Sequence, residues 1–330
     1  PKRNEVMKIL VTGGCGYIGS VTARFLRNNG HEVTVVDNLS EGHRGAWDGE
    51  FHELELLDRE AVHHFLDGHQ FEGVIHFAAR AYVGESVEQP LRYWRANVVP
   101  VIFLCEQLEG VPFVFSSTCA TYGVPMTETL SEDHPKNPVN PYGNTKLAVE
   151  RLLRDRDLAG HGSYAALRYF NASGAEPDAS HGEAHHPETH LIPLAVQAAL
   201  GQHGPLTVFG TDWDTPDGTC IRDYVHVLDL ASAHLAALKR LVGGGASGAW
   251  NIGTGVGVSV REILDSVGRT TGSDVPFIEG ERRDGDPSML VANPALAKAE
   301  LSWEAEWTQL DTLIETAVQW HRAHPQGYSE

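Results

Sequence analysis

The stretch Thr12-Gly13-Gly14-Cys15-Gly16-Tyr17-Ile18-Gly19 joins an apolar run, Lys8 to Thr12, to a helical stretch, Ile18 to Asn29. Its glycines at 13, 16 and 19 allow the backbone to turn tightly and to approach a pyrophosphate, while the following helix points its free N–H groups at that charge. A second apolar run, Glu32 to Val36, follows and ends on Asp37. A glycine turn at this place in a β-α-β unit predicts dinucleotide binding.

Asp37 indicates which dinucleotide is bound. A carboxylate at the end of the second strand accepts hydrogen bonds from the ribose hydroxyls of an adenosine and repels a 2′-phosphate, so we expect NAD rather than NADP. Asn38 follows it instead of an arginine, and Arg44 is the nearest cation that would reverse the preference.

Apolar runs and helical patterns alternate through the first half of the chain. The apolar runs continue at Gly73 to Phe77, Val111 to Phe115 and Tyr164 to Leu167, and the helical segments at Arg59 to Asp67, Leu91 to Leu108 and Tyr142 to Leu158. This alternation predicts an α/β fold, a Rossmann-type doubly wound parallel sheet, with a smaller mixed α/β C-terminal substrate domain. The alternation of strands and helices does not continue directly after Phe170. We therefore expect an NAD-binding domain at 7–175 and a substrate domain mainly at 176–330, with some C-terminal segments returning to the first domain.

The amino-acid composition restricts the classes of ligand and surface that the protein can bind. A formal charge of −19 argues against nucleic acid or an anionic membrane, because both need a basic surface, so an anionic ligand must be held by helix N-termini and individual arginines. No apolar run approaches the roughly 20 residues that span a bilayer, and residues 1–6 form a polar tail without the features of a secretory signal. Four cysteines without a C-x-x-C pair indicate reduced thiols and a cytoplasmic location.

Tyr142 and Lys146 are four residues apart at the start of a predicted helix and therefore share one face. A nearby ammonium and the positive nicotinamide ring of NAD⁺ would favour a phenolate, which could remove a proton from a hydroxyl group. The Y-x-x-x-K pattern alone is frequent in helices. The run Phe115 to Gly123 adds weight, because its hydroxyl residues follow a strand of the nucleotide-binding sheet and Thr118 could relay a proton toward Tyr142.

These residues resemble the extended short-chain dehydrogenase/reductase family and, more narrowly, the UDP-glucose (UDP-galactose) 4-epimerases, from Met7 to the closing His-Pro-Gln-Gly-Tyr. The segments that carry the resemblance are Thr12 to Ser20, Val36 to Leu39, His76 to Ala79, Val83 to Ser86, Leu167 to Asn171, Gly218 to Val227 and Arg282 to Asp286. The resemblance implies epimerisation at C4 of a UDP-sugar in galactose metabolism, through a 4-keto sugar, with tightly bound NAD. It also implies a homodimer formed through the helices at Leu91 to Leu108 and Tyr142 to Leu158.

The resemblance also assigns the site. Its catalytic residues would be Tyr142, Lys146 and Thr118. NAD would be bordered by Gly13, Gly16, Tyr17, Ile18, Gly19, Asp37, Asn38, Glu55, Leu56, Phe77, Ala78, Ala79, Asn97, Tyr142, Lys146 and Phe170. The UDP-sugar would be bordered by Thr118, Tyr142, Asn171, His190, Leu191, Arg222, Arg283 and Asp286, with Leu191 and the segment Thr207 to Phe209 placed to sandwich the uracil.

Three alternatives are weighed. The similar nucleotide-sugar 4,6-dehydratases carry Asp-Glu after the threonine, and Cys119-Ala120 cannot supply that acid and base. A 4-epimerase of another UDP-sugar (N-acetylglucosamine, xylose/arabinose or glucuronate) remains open, whereas a non-enzymatic nucleotide sensor predicts a missing Tyr or Lys.

Histidines at 181, 185, 186 and 190 with Glu183 suggest a metal, but their irregular spacing favours a solvated loop, so we predict none.

Overall fold

A computed structural model describes residues 6–283 and 285–329, and it places the glycine stretch between the first strand and the first helix. Strand β1 (Lys8–Thr12) leads into α1 (Tyr17–Asn28), and β2 (Glu32–Asp37) returns parallel to β1. Gly13 adopts a φ of +69°, and a Cβ atom there would lie 2.5 Å from the backbone nitrogen of Ala78. Glycine is required at this turn because both the dihedral angle and the close approach exclude a side chain.

The remaining elements of the described residues follow in chain order. The strands are β3 (Glu50–Glu53), β4 (Gly73–His76), β5 (Phe113–Thr118), β6 (Tyr164–Tyr169), β7 (Asn171–Ser173), β8 (Leu206–Phe209), β9 (Ile221–His226), β10 (Gly248–Ile252), β11 (Gly257–Ser259), β12 (Phe277–Gly280) and β13 (Met289–Leu290). The helices are α2 (Arg59–Asp67), α3 (Val83–Glu88), α4 (Pro90–Gln107), α5 (Pro141–Leu158), α6 (Leu191–Ala199), α7 (Val227–Val242), α8 (Val260–Thr271), α9 (Ala295–Leu301) and α10 (Leu310–Ala323).

The main sheet has the order β10-β6-β5-β4-β1-β2-β3, and its neighbouring strands pair in parallel. Chain order reverses between β1 and β4, which opens a crevice at the carboxyl ends of these two strands. The Rossmann-type doubly wound sheet predicted from the sequence is confirmed. A strand of the C-terminal half, β10, completes the sheet beside β6.

Both faces of the main sheet are buried. Along β1, Ile9 and Val11 belong to a core cluster that includes residues of α1 and α7, whereas Leu10 belongs to a cluster on the opposite face that includes residues of α2, α4 and α5. Strands covered on both faces have no polar side to alternate with the apolar one. This explains why they appear in the sequence as continuous apolar runs.

The smaller lobe is a mixed α/β unit, as predicted. Strand β9 pairs in parallel with β7 and β13 and antiparallel with β11, while β8 and β12 form a separate parallel pair. Helices α6, α8 and α10 pack together over a third apolar cluster, in which Ile263 and Ile314 are fully buried.

Two details differ from the sequence prediction. Strand β3 was missed, because Glu50-Phe-His-Glu53 pairs only with β2 at the sheet edge and lacks an apolar run. Strand β5 extends to Thr118, so Ser116, Ser117 and Thr118 end the strand instead of following it. None of the helices in the described part of the chain combines the length and apolar character that crossing a bilayer requires.

Candidate active site

The loops at the carboxyl ends of β1, β2, β4 and β5 line one cavity of about 850 Å³, to which the smaller lobe also contributes side chains. The predicted site residues that line it are Gly13, Gly16, Tyr17, Ile18, Gly19, Asp37, Asn38, Glu55, Leu56, Phe77, Ala78, Ala79, Thr118, Tyr142, Lys146, Phe170, Asn171, His190, Leu191, Arg222 and Asp286. The fold thus collects residues from distant parts of the sequence into one site.

One end of the cavity is built for a dinucleotide. Helix α1 begins after Gly16 without a side-chain cap, so its first N–H groups are available to a diphosphate at the cavity wall. The Asp37 carboxylate accepts hydrogen bonds from the backbone nitrogens of Cys15 (3.0 Å) and Leu39 (2.8 Å), which hold it at the end of β2. Burial raises the pKa of Asp37, and these backbone N–H groups act in the opposite direction. The donors and the carboxylate together fit a diphosphate linked to a ribose.

Beyond Asp37, a polar pair and apolar side chains continue the wall. The side-chain amide of Asn38 donates to Glu55 (2.8 Å), and Glu55 also accepts from the backbone nitrogen of Leu57 (2.8 Å). Leu54 and Leu56 line the cavity beside them. A flat apolar slot edged by a carboxylate and an amide fits an adenine ring.

Helix α5 places Tyr142 and Lys146 at the middle of the cavity. The helix begins here because the Asn140 side chain accepts from the backbone nitrogen of Gly143 (2.8 Å) and Pro141 occupies the first helical position. The Lys146 ammonium nitrogen lies 5.9 Å from the centroid of the Tyr142 ring. Both side chains reach the cavity on one helix face, in agreement with their spacing.

Burial controls the protonation of this pair. It raises the pKa of Tyr142 to about 12, and a hydrogen bond from the Thr118 hydroxyl acts against the rise. The Thr118 oxygen itself accepts from the backbone nitrogen of Ala120 at 3.1 Å, which leaves its proton free to donate to the phenol oxygen. Since burial outweighs this hydrogen bond, the groups of the chain alone do not acidify Tyr142.

Lys146 is fixed more firmly than a surface lysine. Its ammonium group donates to the carbonyl oxygen of Ser116 (2.8 Å) and lies 4.9 Å from the centroid of the Phe115 ring. Burial lowers the pKa of Lys146 to about 7. The side chain therefore binds and releases a proton near neutrality, next to Tyr142.

The opposite end of the cavity carries groups suited to a second anion. Arg222 on β9 is only 11% exposed, and its guanidinium lies 4.0 Å from the Asp286 carboxylate. Asn171, His190 and Leu191 complete this wall. A forked guanidinium beside amide and imidazole groups fits a diphosphate, while the Asp286 carboxylate fits sugar hydroxyls.

Two predicted site residues are not among those that line the cavity. Asn97 is buried behind the wall, where it accepts from the backbone nitrogen of Arg80 (2.8 Å) and donates to the Thr145 hydroxyl (3.1 Å). It braces the wall, and its contact with NAD stays a prediction. Arg283 lies with its guanidinium 3.9 Å from the Phe209 ring centroid, and this contact covers the aromatic face predicted to sandwich uracil.

The sequence prediction omitted several residues that line the cavity. These include Arg92 and Arg95 on α4, Tyr82, and the pair Glu183 and His185. The i, i+3 spacing of Arg92 and Arg95 was a usable signal, since two cations on one helix face can serve an anionic ligand. The expectation of a solvated loop is wrong for Glu183 and His181, which are buried.

The dinucleotide end, together with a tyrosine and a lysine beside it, defines a class: an enzyme that binds NAD. Over residues 9–253 the chain matches the NAD dependent epimerase/dehydratase family. The chain belongs to this family.

Individual relatives narrow the class. A UDP-glucose 4-epimerase of Halalkalibacterium halodurans is 45% identical over 327 residues, which cover 98% of each chain. The structure of UDP-glucose 4-epimerase from Brucella ovis in complex with NAD has a TM-score of 0.92 and 48% identity, and covers 95% of this chain and 98% of that one. The structure of UDP-glucose-4-epimerase from Stenotrophomonas maltophila, with bound NAD and formylated UDP-arabinopyranose, has a TM-score of 0.93 and 38% identity, over 97% and 99% of the two chains.

These similarities confirm the resemblance to UDP-glucose 4-epimerases that the sequence motifs indicated. They also confirm NAD as the cofactor and the chain as an NAD-dependent epimerase. The uncapped start of α1 and the carboxylate of Asp37 show that the cavity fits the cofactor in its own geometry.

Proposed function

We propose that the chain interconverts UDP-galactose and UDP-glucose by inverting C4 of the sugar, as part of galactose metabolism, in the cytoplasm. One observation carries the proposal: Tyr142, Lys146 and Thr118 meet in the cavity between an end that fits NAD and an end that fits a second diphosphate. A hydroxyl group bound between these ends would lie beside the one acid/base pair that the sequence predicts.

Each of the three residues has a distinct task. When bound, NAD supplies the acceptor and later the donor of a hydride at C4, and its positive ring offsets the burial that keeps Tyr142 protonated. Tyr142 removes the proton of the 4-hydroxyl group and later returns it, and Thr118 passes the proton between the sugar and the phenol. Lys146 holds the nicotinamide ribose and stabilises the phenolate.

Inversion requires the 4-keto sugar to present its other face before the proton and hydride return. We propose that Arg222 and Asn171 keep the UDP portion anchored meanwhile, with residues 7–175 binding NAD and residues 176–330 mainly the UDP-sugar. His190, Leu191 and Asp286 belong to the same anchor, and Arg283 would join it by leaving the Phe209 ring. Anchoring by groups remote from C4 retains the intermediate without restricting its rotation.

The residues that follow Thr118 argue against elimination of water as the reaction. It would need an acid and a base at positions 119 and 120, where the chain has Cys119 and Ala120. Burial raises the pKa of the Cys119 thiol to about 12, so it is not a base near neutrality. The family includes epimerases and dehydratases, and the residues of this site support epimerisation.

The test is the variant Tyr142→Phe, assayed for conversion of UDP-galactose to UDP-glucose. Loss of a positioned acid/base group is expected to lower kcat about 10²- to 10⁴-fold, with NAD content unchanged. Tyr82→Phe is the matched control, since Tyr82 lines the same cavity and its buried hydroxyl has no hydrogen-bond partner in the described structure. Near-normal turnover by Tyr142→Phe, or an equal loss in Tyr82→Phe, contradicts the assignment.

A second substrate is favoured by one relative. The Stenotrophomonas maltophila structure holds a formylated UDP-arabinopyranose, and the same Tyr/Lys pair could act on UDP-xylose/arabinose, UDP-glucuronate or UDP-N-acetylglucosamine. Leu290 lines the cavity and would limit the bulk of the sugar. A panel of these UDP-sugars, ranked by kcat/KM, distinguishes them. UDP-galactose is expected to rank first.

We also propose that the chain forms a homodimer through α4 and α5. Leu91, Trp94 and Ile102 lie along one side of α4 with their apolar side chains exposed, at spacings close to whole helical turns. Light scattering of the protein as it elutes from a size-exclusion column is expected to give twice the mass of one chain. The Trp94→Glu variant is expected to give the mass of a single chain. A monomeric wild-type protein refutes this.

A further inference from the structure

Four side chains of the loop before α6 converge on one point beside the cavity. The Glu183 oxygen lies 3.1 Å from Nδ1 of His185 and 2.6 Å from Nδ1 of His190. The two oxygens of Glu188 lie 3.6 Å and 3.2 Å from the same two nitrogens. The other histidines of the loop take no part: His181 faces the carbonyl oxygen of Ala46 at 2.8 Å, and His186 is exposed.

The two carboxylates are buried to a degree unusual for a polar loop, whereas the His190 side chain is 50% exposed. The side chains of Glu183 and Glu188 are only 6% and 7% exposed. Among the residues that the structure describes, Nδ1 of His185 and one oxygen of Glu188 are buried without a hydrogen-bond partner of good geometry. A buried polar atom without a well-aligned partner is destabilising, so a ligand at the common centre of these atoms would be favoured.

We propose that Glu183, His185, Glu188 and His190 form a binding site for a divalent cation, with Zn²⁺ as the preferred ion. Zn²⁺ binds nitrogen and carboxylate ligands at about 2.0–2.1 Å in a tetrahedron, whose corners are then about 3.3–3.4 Å apart. The nitrogen–oxygen separations of 2.6 to 3.6 Å lie on both sides of this edge length, so a bound Zn²⁺ would require shifts of less than about 1 Å, chiefly between Glu183 and His190. Two imidazoles and two carboxylates complete the coordination from the protein alone, which is typical of a structural site rather than a catalytic one.

The charge balance is the same with and without the cation. Without it, two imidazolium groups face two carboxylates, and binding M²⁺ releases two protons. The carboxylates raise the pKa of His185 to about 9 and of His190 to about 10, against the effect of burial. Because a bound cation displaces the imidazole protons, the affinity for the cation should rise steeply with pH.

Two tyrosines adjoin the cluster. Tyr17 and Tyr82 contact the His185 ring edge-on, and burial raises the pKa of both phenols, that of Tyr82 to about 12. Burial lowers the pKa of His321 on α10, and burial raises the pKa of Tyr328, which follows that helix, to about 12. The cation would thus fix the loop 181–190 as a rigid wall of the cavity, without taking part in proton transfer at the sugar.

The experiment titrates tag-free protein, stripped of metal and desalted, with ZnCl₂ by calorimetry at pH 6, 7 and 8. One equivalent is expected to bind, with the steep pH dependence given above. Glu188→Gln and Glu183→Gln should weaken binding more than about 100-fold, since even outer-shell partners of a metal contribute about 10- to 100-fold. NAD content and circular dichroism verify that each variant is folded.

The described residues contain one other cluster of histidines and a carboxylate that could hold a metal ion, and it serves as the matched control. Glu50, His52 and His69 also converge, but Glu50 is exposed and a fourth ligand is missing. His52→Gln should leave the Zn²⁺ affinity unchanged. The absorbance of wild-type protein loaded with Co²⁺ provides a second measurement, and the intense visible bands of tetrahedral Co²⁺ are expected. No binding at pH 8, binding unaffected by Glu188→Gln, or a weak octahedral Co²⁺ spectrum overturns the proposal and leaves the cluster as ion pairs.

Discussion

Arg168 and Glu150 form a buried ion pair behind the candidate active site, and breaking it is expected to destabilise the protein. The guanidinium of Arg168 donates twice to the Glu150 carboxylate, at 2.8 and 2.5 Å, and once to the Tyr122 hydroxyl at 3.0 Å. Glu150 also accepts from the Ser117 hydroxyl at 2.5 Å, next to Thr118 in β5. The pair therefore ties β6 to α5 and to the end of β5 that carries the proposed proton relay.

The size of the effect follows from burial. The two side chains are only 5% and 7% exposed, so Arg168→Met leaves a carboxylate uncompensated away from water. Removing one partner of such a pair costs about 3–5 kcal/mol. With an unfolding entropy of about 2.1 cal/mol/K per residue over 330 residues, or about 0.7 kcal/mol/K, Tm should fall by about 4–7 °C.

The change in Tm is measured by thermal unfolding monitored with circular dichroism. Arg154→Met is the matched control, because Arg154 lies on the same helix as Glu150 and pairs with Asp155 while 59% exposed. Its Tm should change by less than about 1.5 °C, since exposed pairs contribute about 0–1 kcal/mol. The double variant Glu150→Met/Arg168→Met should recover most of the loss. An Arg168→Met protein as stable as wild type refutes the reasoning, and so does a double variant that loses the sum of both single effects.

Three further predictions concern the cofactor end and the acid/base pair. Gly19→Ala should abolish retention of NAD during purification, because its Cβ would overlap the carbonyl oxygen of Gly13, whereas Gly84→Ala, with open space around it, should retain NAD. Asp37→Asn should weaken NAD binding about 10- to 100-fold and reduce discrimination against NADP, since hydrogen bonds to charged groups contribute about 1.5–3 kcal/mol; titration of cofactor-free protein with each dinucleotide checks this. Lys146→Met should raise the Tm of cofactor-free protein at pH 7, because the buried ammonium of the wild type destabilises the fold. Between the lowered folded pKa of about 7 and the ordinary value of 10.5, only the unfolded state holds the proton, so wild-type stability rises with pH. The gain in Tm should therefore shrink from pH 7 to pH 10, and a gain that grows with pH contradicts the assignment.

Much of the fold was predictable from local pattern. Continuous apolar runs indicated strands buried on both faces, and the glycines at 13, 16 and 19 marked the turn where only small residues allow close approach. The missed strand β3 shows the limit of this reasoning, since Glu50-Phe-His-Glu53 pairs through its backbone and carries no apolar signature. Edge pairing depends on a neighbouring strand, which the local sequence does not describe.

The site was predictable where one element carries it. Tyr142 and Lys146 share a helix face by spacing alone, and Asp37 ends its strand. Asn97 and Arg283 were harder to place, because their side chains contact Arg80 and Phe209, which are distant in sequence and which compete with a ligand. Such competition depends on distances across the chain.

The sequence by itself determined the class of sheet, the dinucleotide turn and the shared helix face of Tyr142 and Lys146, because each rests on residues within one or two elements. The tertiary structure alone decided what surrounds them. It buried Tyr142 and Lys146 so that their pKa values move in opposite directions, and it brought Glu183 and Glu188 together with two histidines. Burial and convergence arise from segments far apart in the chain, and therefore appear only when those segments are packed.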